Sequence, residues 1–517
     1  MNTKPYWSDS GTLPKFEALS HDAQVDVVII GGGLTGITTA HLLKEAGAKV
    51  ALLERERCGE ADTGHTTAHL TYVTDERLHR LVKLFGEEGA KGFWDAGVSA
   101  IDEIDGIVRR NKIDCAFKWL PGYLHGKLNG DNDSAERASL KEDVELAQQL
   151  EFDAEFVESV PYANRPGIRF ANQARFHPLK YLAPLVSKIP GDGSFVFEHT
   201  EASQIENNPL TIHAGQHKIR CNYLVIATHT PLMGKSSLAN ATLFQSKLAL
   251  YTSYVIGARL PAGAVPEALY WDTNDPYYYL RADRYEGSEY CIFGGEDVKT
   301  GQEEDSTKVF ARLEAKLRKV LPGATIEHRW LGQVVETNDG LPFIGENSSQ
   351  QFIATGFGGN GFTLGTLSAM MVRDRYVGRK NPWLELFDVN RKKLHGGTWR
   401  YIKENLDYPY YMVRDRLASA ESDSVDDLKV GEGQILKLDG KKFAAYRDES
   451  GKVHLLSPVC THLKCIVRWN NADKTWDCPC HGSRFKPTGE VFSGPAEEPL
   501  EKLPWPEKMK TVSETVH

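Results

Sequence analysis

Long apolar runs are missing from this 517-residue sequence, where no stretch approaches the roughly 18 apolar residues that span a bilayer. A helical transmembrane segment is therefore not expected. Basic runs are missing too, and with Lys+Arg at 61 against Asp+Glu at 70 the formal net charge is -9, which argues against nucleic acid as a partner. The first twenty residues lack the apolar core of a secretory signal, so the expected address is the cytoplasm. No internal repeat or low-complexity tract appears. Cysteine is scarce, with eight in all; Cys58, Cys115, Cys221 and Cys291 stand singly and read as reduced, packed side chains. What is present, 41% apolar and 25% charged residues, suits a globular chain long enough for about three domains.

The other four cysteines are the most informative feature. Cys460-Thr461-His462 is a C-x-H pair and Cys478-Pro479-Cys480-His481 a C-x-x-H pair, with fifteen residues between them. This is the ligand arrangement of a Rieske [2Fe-2S] centre, in which two thiolates hold one iron and two neutral imidazoles the other; replacing thiolate by imidazole raises the reduction potential. Two Cys and two His also suit tetrahedral zinc, although zinc modules usually pair Cys with Cys and His with His.

The runs CTHLKC (460–465) and CPCHGS (478–483) resemble the cluster-binding loops of the respiratory quinol-oxidising Rieske proteins. The resemblance implies Cys460, His462, Cys478 and His481 as ligands, and a disulfide between Cys465 and Cys480 clamping the loops. Rieske domains of ring-hydroxylating oxygenases generally lack that second pair. Such a disulfide is unusual in a reducing cytosol unless it is buried against the cluster. Ser483 matches a residue whose hydroxyl bonds to a cluster sulfur. Phe485 stands where high-potential members carry tyrosine, which predicts a lower potential. Gly494-Pro495-Ala496 resembles the loop that covers the cluster.

A second motif lies near the start. The apolar run Val25 to Ile30 leads into Gly31-Gly32-Gly33-Leu34-Thr35-Gly36 and then a segment of helical spacing ending at Gly47. Gly31 permits the tight turn, Gly33 lets backbone approach a pyrophosphate, and Gly36 lets helix pack on strand. A second strand, Lys49 to Leu53, ends at Glu54, 23 residues after Gly31, where a carboxylate meets a ribose hydroxyl. The order of strand, glycine turn, helix, strand and acid predicts dinucleotide binding.

Over about residues 20–380 the chain resembles the D-amino acid oxidase-like family of FAD enzymes. The resemblance rests on the loop Thr63-Gly64-His65-Thr66-Thr67-Ala68, the segment Phe197 to Ala202, the strand and turn Tyr223 to Thr228, and RWLGQVVETNDGLPFIGE with GFGGNGFTLG after it. It implies FAD contacts from Gly31, Gly33, Leu34, Thr35, Gly36, Glu54, Arg55, Thr63, His65, Thr66, Thr67, Ala202, Ala227, Thr228, Gly332, Gly358, Gly359, Asn360, Gly361, Phe362 and Thr363. Some relatives tether FAD through a cysteine near Gly332 and Gln333; that cysteine is absent here, leaving His65 or His69 as the alternative tether. Gly356 to Gly361 also spells a nucleotide motif, but no second strand with a terminal acid comes after it. NAD(P)H is therefore not the expected reductant, and the segment reads as a helix N-terminus facing the flavin.

The implied fold class is α/β with α+β. It comprises a Rossmann-like FAD-binding domain (1–80, 171–240, 329–380), an interleaved β-sheet substrate domain (81–170, 241–328), a linker (381–427) and an all-β Rieske domain (428–517). In the family, tyrosine and arginine in the substrate domain hold a carboxylate, which makes Arg281 and Tyr279 candidate substrate contacts against plain packing. No catalytic residue is marked by a motif, and His177 reads as structural. Joined, the modules imply that a small amine or amino acid is oxidised at FAD and that electrons pass singly through the cluster to an external acceptor. The alternatives are the reverse flow, feeding a flavin reductase or monooxygenase, and a non-catalytic redox sensor or electron carrier.

Overall fold

Val27–Ile30 is buried at all four positions, which requires cover on both faces of its strand. Its residues alternate accordingly. Val27 and Ile29, with Val50, Leu52 and Val225 beside them, face a core that includes the helix Leu34–Glu45. Val28 and Ile30, with Ala51, Leu53, Leu224 and Ile226, face a small sheet through Leu210, Ile212 and Ile219. A computed structural model describes residues 4–129, 134–231, 247–285, 288–391 and 404–506.

The central sheet has six strands in the order Phe343–Ser348, Gln351–Thr355, Tyr223–Ile226, Val27–Ile30, Val50–Leu53, Phe195–Phe197. Every pairing is parallel except that of Phe343–Ser348 with Gln351–Thr355. The helices Leu34–Glu45 and Gly361–Tyr376 pack together on one face and bring both their N-termini to the same edge of the sheet. Gly31 sits at φ +109 with its α-carbon against the Ala227 carbonyl, so a side chain there would collide with backbone.

A nine-stranded sheet forms the second layer. Its path runs Thr325–Thr337, Leu248–Leu260, Ser288–Lys299, Tyr279–Tyr285, Ala268–Asp272, Lys118–His125, Gly167–Arg175, His69–Leu70, with Ala154–Val157 also paired to Gly167–Arg175. Two of the expected boundaries fall inside strands of this sheet. Position 329 falls inside the strand Thr325–Thr337, which pairs with Leu248–Leu260 along its whole length, and position 171 falls inside Gly167–Arg175. A strand hydrogen-bonded along its length to its sheet cannot be divided between domains, and the motifs near these positions mark contacts with the cavity rather than membership of a sheet.

The C-terminal part is all β. A three-stranded sheet (Glu432–Leu438, Lys441–Arg447, Val453–Leu456) and a four-stranded one (Arg468–Asn470, Thr475–Asp477, Arg484–Phe485, Val491–Ser493) enclose a small core containing Trp476, Phe485 and four cysteines. The helix Asp407–Leu417 precedes it; Arg468 pairs with Asp415 at 2.6 Å and Lys442 donates to the Asp415 carbonyl. Among the described residues no helix is long and apolar enough to cross a membrane.

Candidate active site and cluster pocket

A cavity of about 1490 Å³ opens where the central sheet's glycine turn meets the nine-stranded sheet. Its walls include Gly31, Gly33, Leu34, Thr35, Glu54, Arg55, Thr63, His65, Thr66, Thr67, Ala202, Ala227, Thr228, Gly332, Gly358, Gly359, Asn360, Gly361 and Phe362. These come from segments over 300 residues apart, gathered by the parallel strand ends, where open α/β sheets bind ligands. Two expected residues lie outside the lining. Gly36 is pressed against the Gly31 carbonyl, the packing role its position predicts, and Thr363 turns its hydroxyl to the Thr71 carbonyl at 3.0 Å.

Local bonds explain the shape. Gly33 caps the helix Leu34–Glu45 in extended conformation without a side-chain bond, while Thr63 accepts the Leu34 N–H at 3.0 Å. Glu54 accepts from Gly32 N–H at 2.7 Å and Glu56 N–H at 2.8 Å, and burial pushes its carboxyl up. Two tryptophans strap the early loop: Trp7 Nε1 donates to the Thr66 carbonyl at 2.6 Å and Trp330 Nε1 to the His65 carbonyl at 2.8 Å. A glycine cradle that no side chain could enter, a helix N-terminus without a cap from its own Gly33, and the length of the cavity fit a dinucleotide.

At the far end the wall is aromatic and acidic. Tyr277 donates to Asp75 Oδ1 at 3.0 Å, Gly359 N–H to Asp75 Oδ2 at 2.9 Å, and Tyr279 and Ser253 share a hydroxyl bond at 2.9 Å. Asp297 lies beside them, its carboxyl raised to about 7 by burial, with Asp75 and Glu296 adding to the rise and the Ser253 hydroxyl opposing it. Tyr279 lines this end. Arg281 does not. Its guanidinium is fully buried, bonded to Asp283 at 2.8 and 2.9 Å and to the carbonyls of Thr67 and Ala68, and stacked over Trp7. Of the two expected alternatives, substrate contact or plain packing, these bonds fit packing, with Arg281 tying the early loop to the sheet. His177 is structural: it accepts the Lys180 N–H at its helix start and bonds Ser10 at 2.9 Å.

The cluster pocket is compact. Cys460 and Cys478 are buried and unbridged, while Cys465 and Cys480 form a disulfide. The sulfurs of Cys465, Cys478 and Cys480 lie within 4.8 Å of one another, but two of them are bonded to each other and have no thiolate to offer a metal. The usable donors are Cys460, Cys478, His462 and His481. Cys478 donates to Cys460, so Cys460 is held down and Cys478 pushed up. The imidazoles of His462 and His481 stand 5.0 Å apart at 89°, lowered by burial to about 4 and about 3, which keeps them neutral as metal ligands must be. His481 Nδ1 is buried and meets no hydrogen-bond partner among the described residues. Ser483 accepts the Ala496 N–H at 3.0 Å and lies against Cys460, joining the covering loop to the ligand loop.

The two sites share a wall. Residues Phe492 to Glu498 of the covering loop line the large cavity, and Arg55 donates to the Phe492 carbonyl at 2.8 Å. Gln333, also in that lining, sends Nε2 to the Gly482 carbonyl at 2.9 Å and accepts from Ser493 at 2.9 Å. Gly301, at φ +80, lies against the backbone of Cys478 and Pro479, and Gly482 against Leu250. Asp297 had no motif to announce it. The only signal for Gln333 was its place after Gly332 in the C-terminal flavin signature.

Comparison with known proteins accounts for both halves. Residues 26–375 match the model of the DAO family, FAD dependent oxidoreductase. The chain belongs to that family. Residues 420–504 match the Rieske [2Fe-2S] domain. A Rieske 2Fe-2S iron-sulfur protein, YhfW, of Bacillus subtilis is 33% identical over 96% of this chain and 97% of its own length. Gamma-glutamylputrescine oxidoreductase of Escherichia coli is 24% identical over 80% of this chain and 99% of its own. The glycine oxidase of Geobacillus kaustophilus shares the fold, with a TM-score of 0.58 at 16% identity, covering 72% of this chain and all of that one. The chain is thus an FAD-dependent oxidoreductase with a D-amino acid oxidase-like body and an all-β Rieske domain, and its cofactors are FAD and a Rieske [2Fe-2S] cluster.

Proposed function

We propose that the chain oxidises a small amine or amino acid and passes the electrons through the Rieske centre to an external one-electron acceptor. The shared wall carries this reading: Gln333 touches both the FAD cavity and the Gly482 carbonyl between His481 and Ser483. FAD supplies two-electron chemistry on the substrate side and the cluster one-electron chemistry on the acceptor side. The relationship to gamma-glutamylputrescine oxidoreductase supports a nitrogen-bearing substrate.

In this reading Gly31, Gly33, Leu34 and Thr35 hold the pyrophosphate and Glu54 the ribose. The loop from Thr63 to Thr67, with Gly332 and the segment from Gly358 to Phe362, surrounds the ring system. His481 is the inner cluster ligand, because the carbonyl of the next residue, Gly482, accepts from the cavity-lining Gln333; the Tyr408 ring lies tilted against its imidazole at 4.1 Å. His462, on the other loop, is the ligand through which electrons leave. Residues Phe492 to Glu498 shield the passage from water.

The test is anaerobic mixing of the holoprotein with a panel of amines and amino acids, following flavin bleaching and the cluster's EPR signal. Bleaching and then a reduced-cluster signal support the scheme. Flavin that stays oxidised with every substrate, yet is reduced once the cluster has been reduced by an external donor, overturns its direction.

A further inference from the structure

We infer that the aromatic end of the cavity binds its substrate as an ammonium, with the Asp297 carboxylate as counter-ion, and that no carboxylate on the substrate is needed. This deepens the proposed oxidation and rests on it for the reaction, though not for binding.

Asp297 belongs to the strand Ser288–Lys299, in the sheet that forms this wall, and lines the cavity. Its Oδ1 is shielded from solvent and meets no hydrogen-bond donor among the described residues, although the carboxyl group as a whole has the Ser253 hydroxyl beside it. An acceptor left in that state is costly unless a ligand supplies the donor. A second carboxylate, Asp75, faces the same space and is held by Tyr277 and the Gly359 N–H. Arg281, two residues after Tyr279 on its strand, is turned away to Asp283 and two backbone carbonyls.

A substrate carboxylate would therefore meet two acids, and among the described residues the cations that line the cavity after Asp75, Arg77 and Arg80, are already paired with Asp143 and Glu76. An ammonium would meet Asp297 directly and the ring faces of Tyr277, Tyr279 and Trp271, which attract cations. The other ionisable groups close to Asp297 do not change the sign. Glu296 is paired with Arg312 at 2.9 Å and bonded by Tyr278, and His69, edge-on to Tyr279, is kept neutral by burial.

Because burial raises the Asp297 carboxyl to about 7, much of it is protonated at and below neutrality. An ammonium favours the ionised form, so binding releases a proton and affinity rises as pH increases through 7.

A matched pair of ligands with the same shape and no oxidisable carbon next to the charged group tests this. The holoprotein is titrated anaerobically with tert-butylammonium and with pivalate, reading the flavin difference spectrum. Saturable tert-butylammonium binding, with pivalate about tenfold weaker or worse, is expected. The ammonium affinity should rise through pH 7, and Asp297→Asn should lose it about tenfold and flatten its pH dependence. Pivalate binding as tightly as tert-butylammonium to the unaltered protein overturns the inference, whatever the variant's folding. Asp297→Asn binding the ammonium unchanged, with full FAD content, also overturns it. The two readings fail separately. If amino acids but not simple amines bleach the flavin, oxidation stands and the ammonium site falls. If tert-butylammonium binds through Asp297 and no amine bleaches the flavin, the site stands and the oxidation falls.

Discussion

The cluster pocket and the aromatic end of the large cavity hold their polar groups in different ways. In the cluster pocket the donors come from two loops within residues 460–481, clamped by one disulfide and packed in one small core. At the aromatic end, Asp75 lies just after the early loop, Ser253, Tyr279 and Asp297 come from three strands of the nine-stranded sheet, and Gly359 precedes a helix of the central sheet. Loss of one group should therefore empty the first site and only retune the second. A metal cluster needs its full set of donors at once, whereas an organic ligand is held by several independent contacts.

The largest effect tests that difference directly. Cys478→Ser should abolish the cluster's EPR signal and visible bands while leaving the flavin bound and reducible by substrate, because Cys478 lies outside the FAD cavity lining. Loss of flavin reduction in a folded, FAD-loaded variant would show that the sites are not separable. Next, Arg281→Ala should lower stability by about 3 kcal/mol, the cost of leaving the largely shielded Asp283 without its bidentate partner and of losing a buried guanidinium's bonds to two carbonyls. Arg175, 3.3 Å from Asp283, keeps the loss at the lower end. Thermal denaturation reads this, and an unchanged melting point with a raised KM would return Arg281 to the substrate.

The junction between the sites gives a smaller effect. Gln333→Leu removes the bonds to Gly482 and Ser493 without opening either pocket, so substrate reduction of the flavin should keep its rate. Cluster reduction, monitored by stopped-flow, should slow by about tenfold, as expected when a positioned donor is misplaced. Equal rates in both proteins would leave Gln333 a structural tie only.

How much the sequence disclosed depends on how local each feature is. The cluster donors lie within two tight loops, so their spacing and the resemblance of those loops to Rieske proteins were readable together, and the glycine turn with Glu54 was legible because strand, turn and helix are consecutive. Asp297 was not legible, since GGEDVK is an ordinary strand sequence and its meaning depends on Asp75, more than 200 residues away. Arg281 stayed between two readings because an arginine beside tyrosines in a sheet points either to a ligand or to a packing partner, and its bonds to Asp283, two residues on, fit the second. The strand Thr325–Thr337 escaped its sheet for a similar reason: its C-terminal half carries a flavin-family signature while its backbone pairs elsewhere.

The smallest effect concerns the potential of the centre. Phe485 is fully buried in the cluster core, on a strand whose partners are Thr475–Asp477 and Val491–Ser493, and it has no hydroxyl to donate. Ser483 is two residues before it, beside Cys460, and its hydroxyl favours the thiolate there. A second donor should favour the more negative, reduced cluster in the same way. One added hydrogen bond of about 1 kcal/mol to the reduced form corresponds to roughly 40 mV in a one-electron couple. Phe485→Tyr should therefore raise the midpoint potential by about that amount in an EPR-monitored redox titration, with the flavin potential unmoved. If the variant's potential does not rise, the introduced hydroxyl does not reach the cluster. The low potential expected of this centre would then originate in the burial of His462 and His481 rather than in position 485.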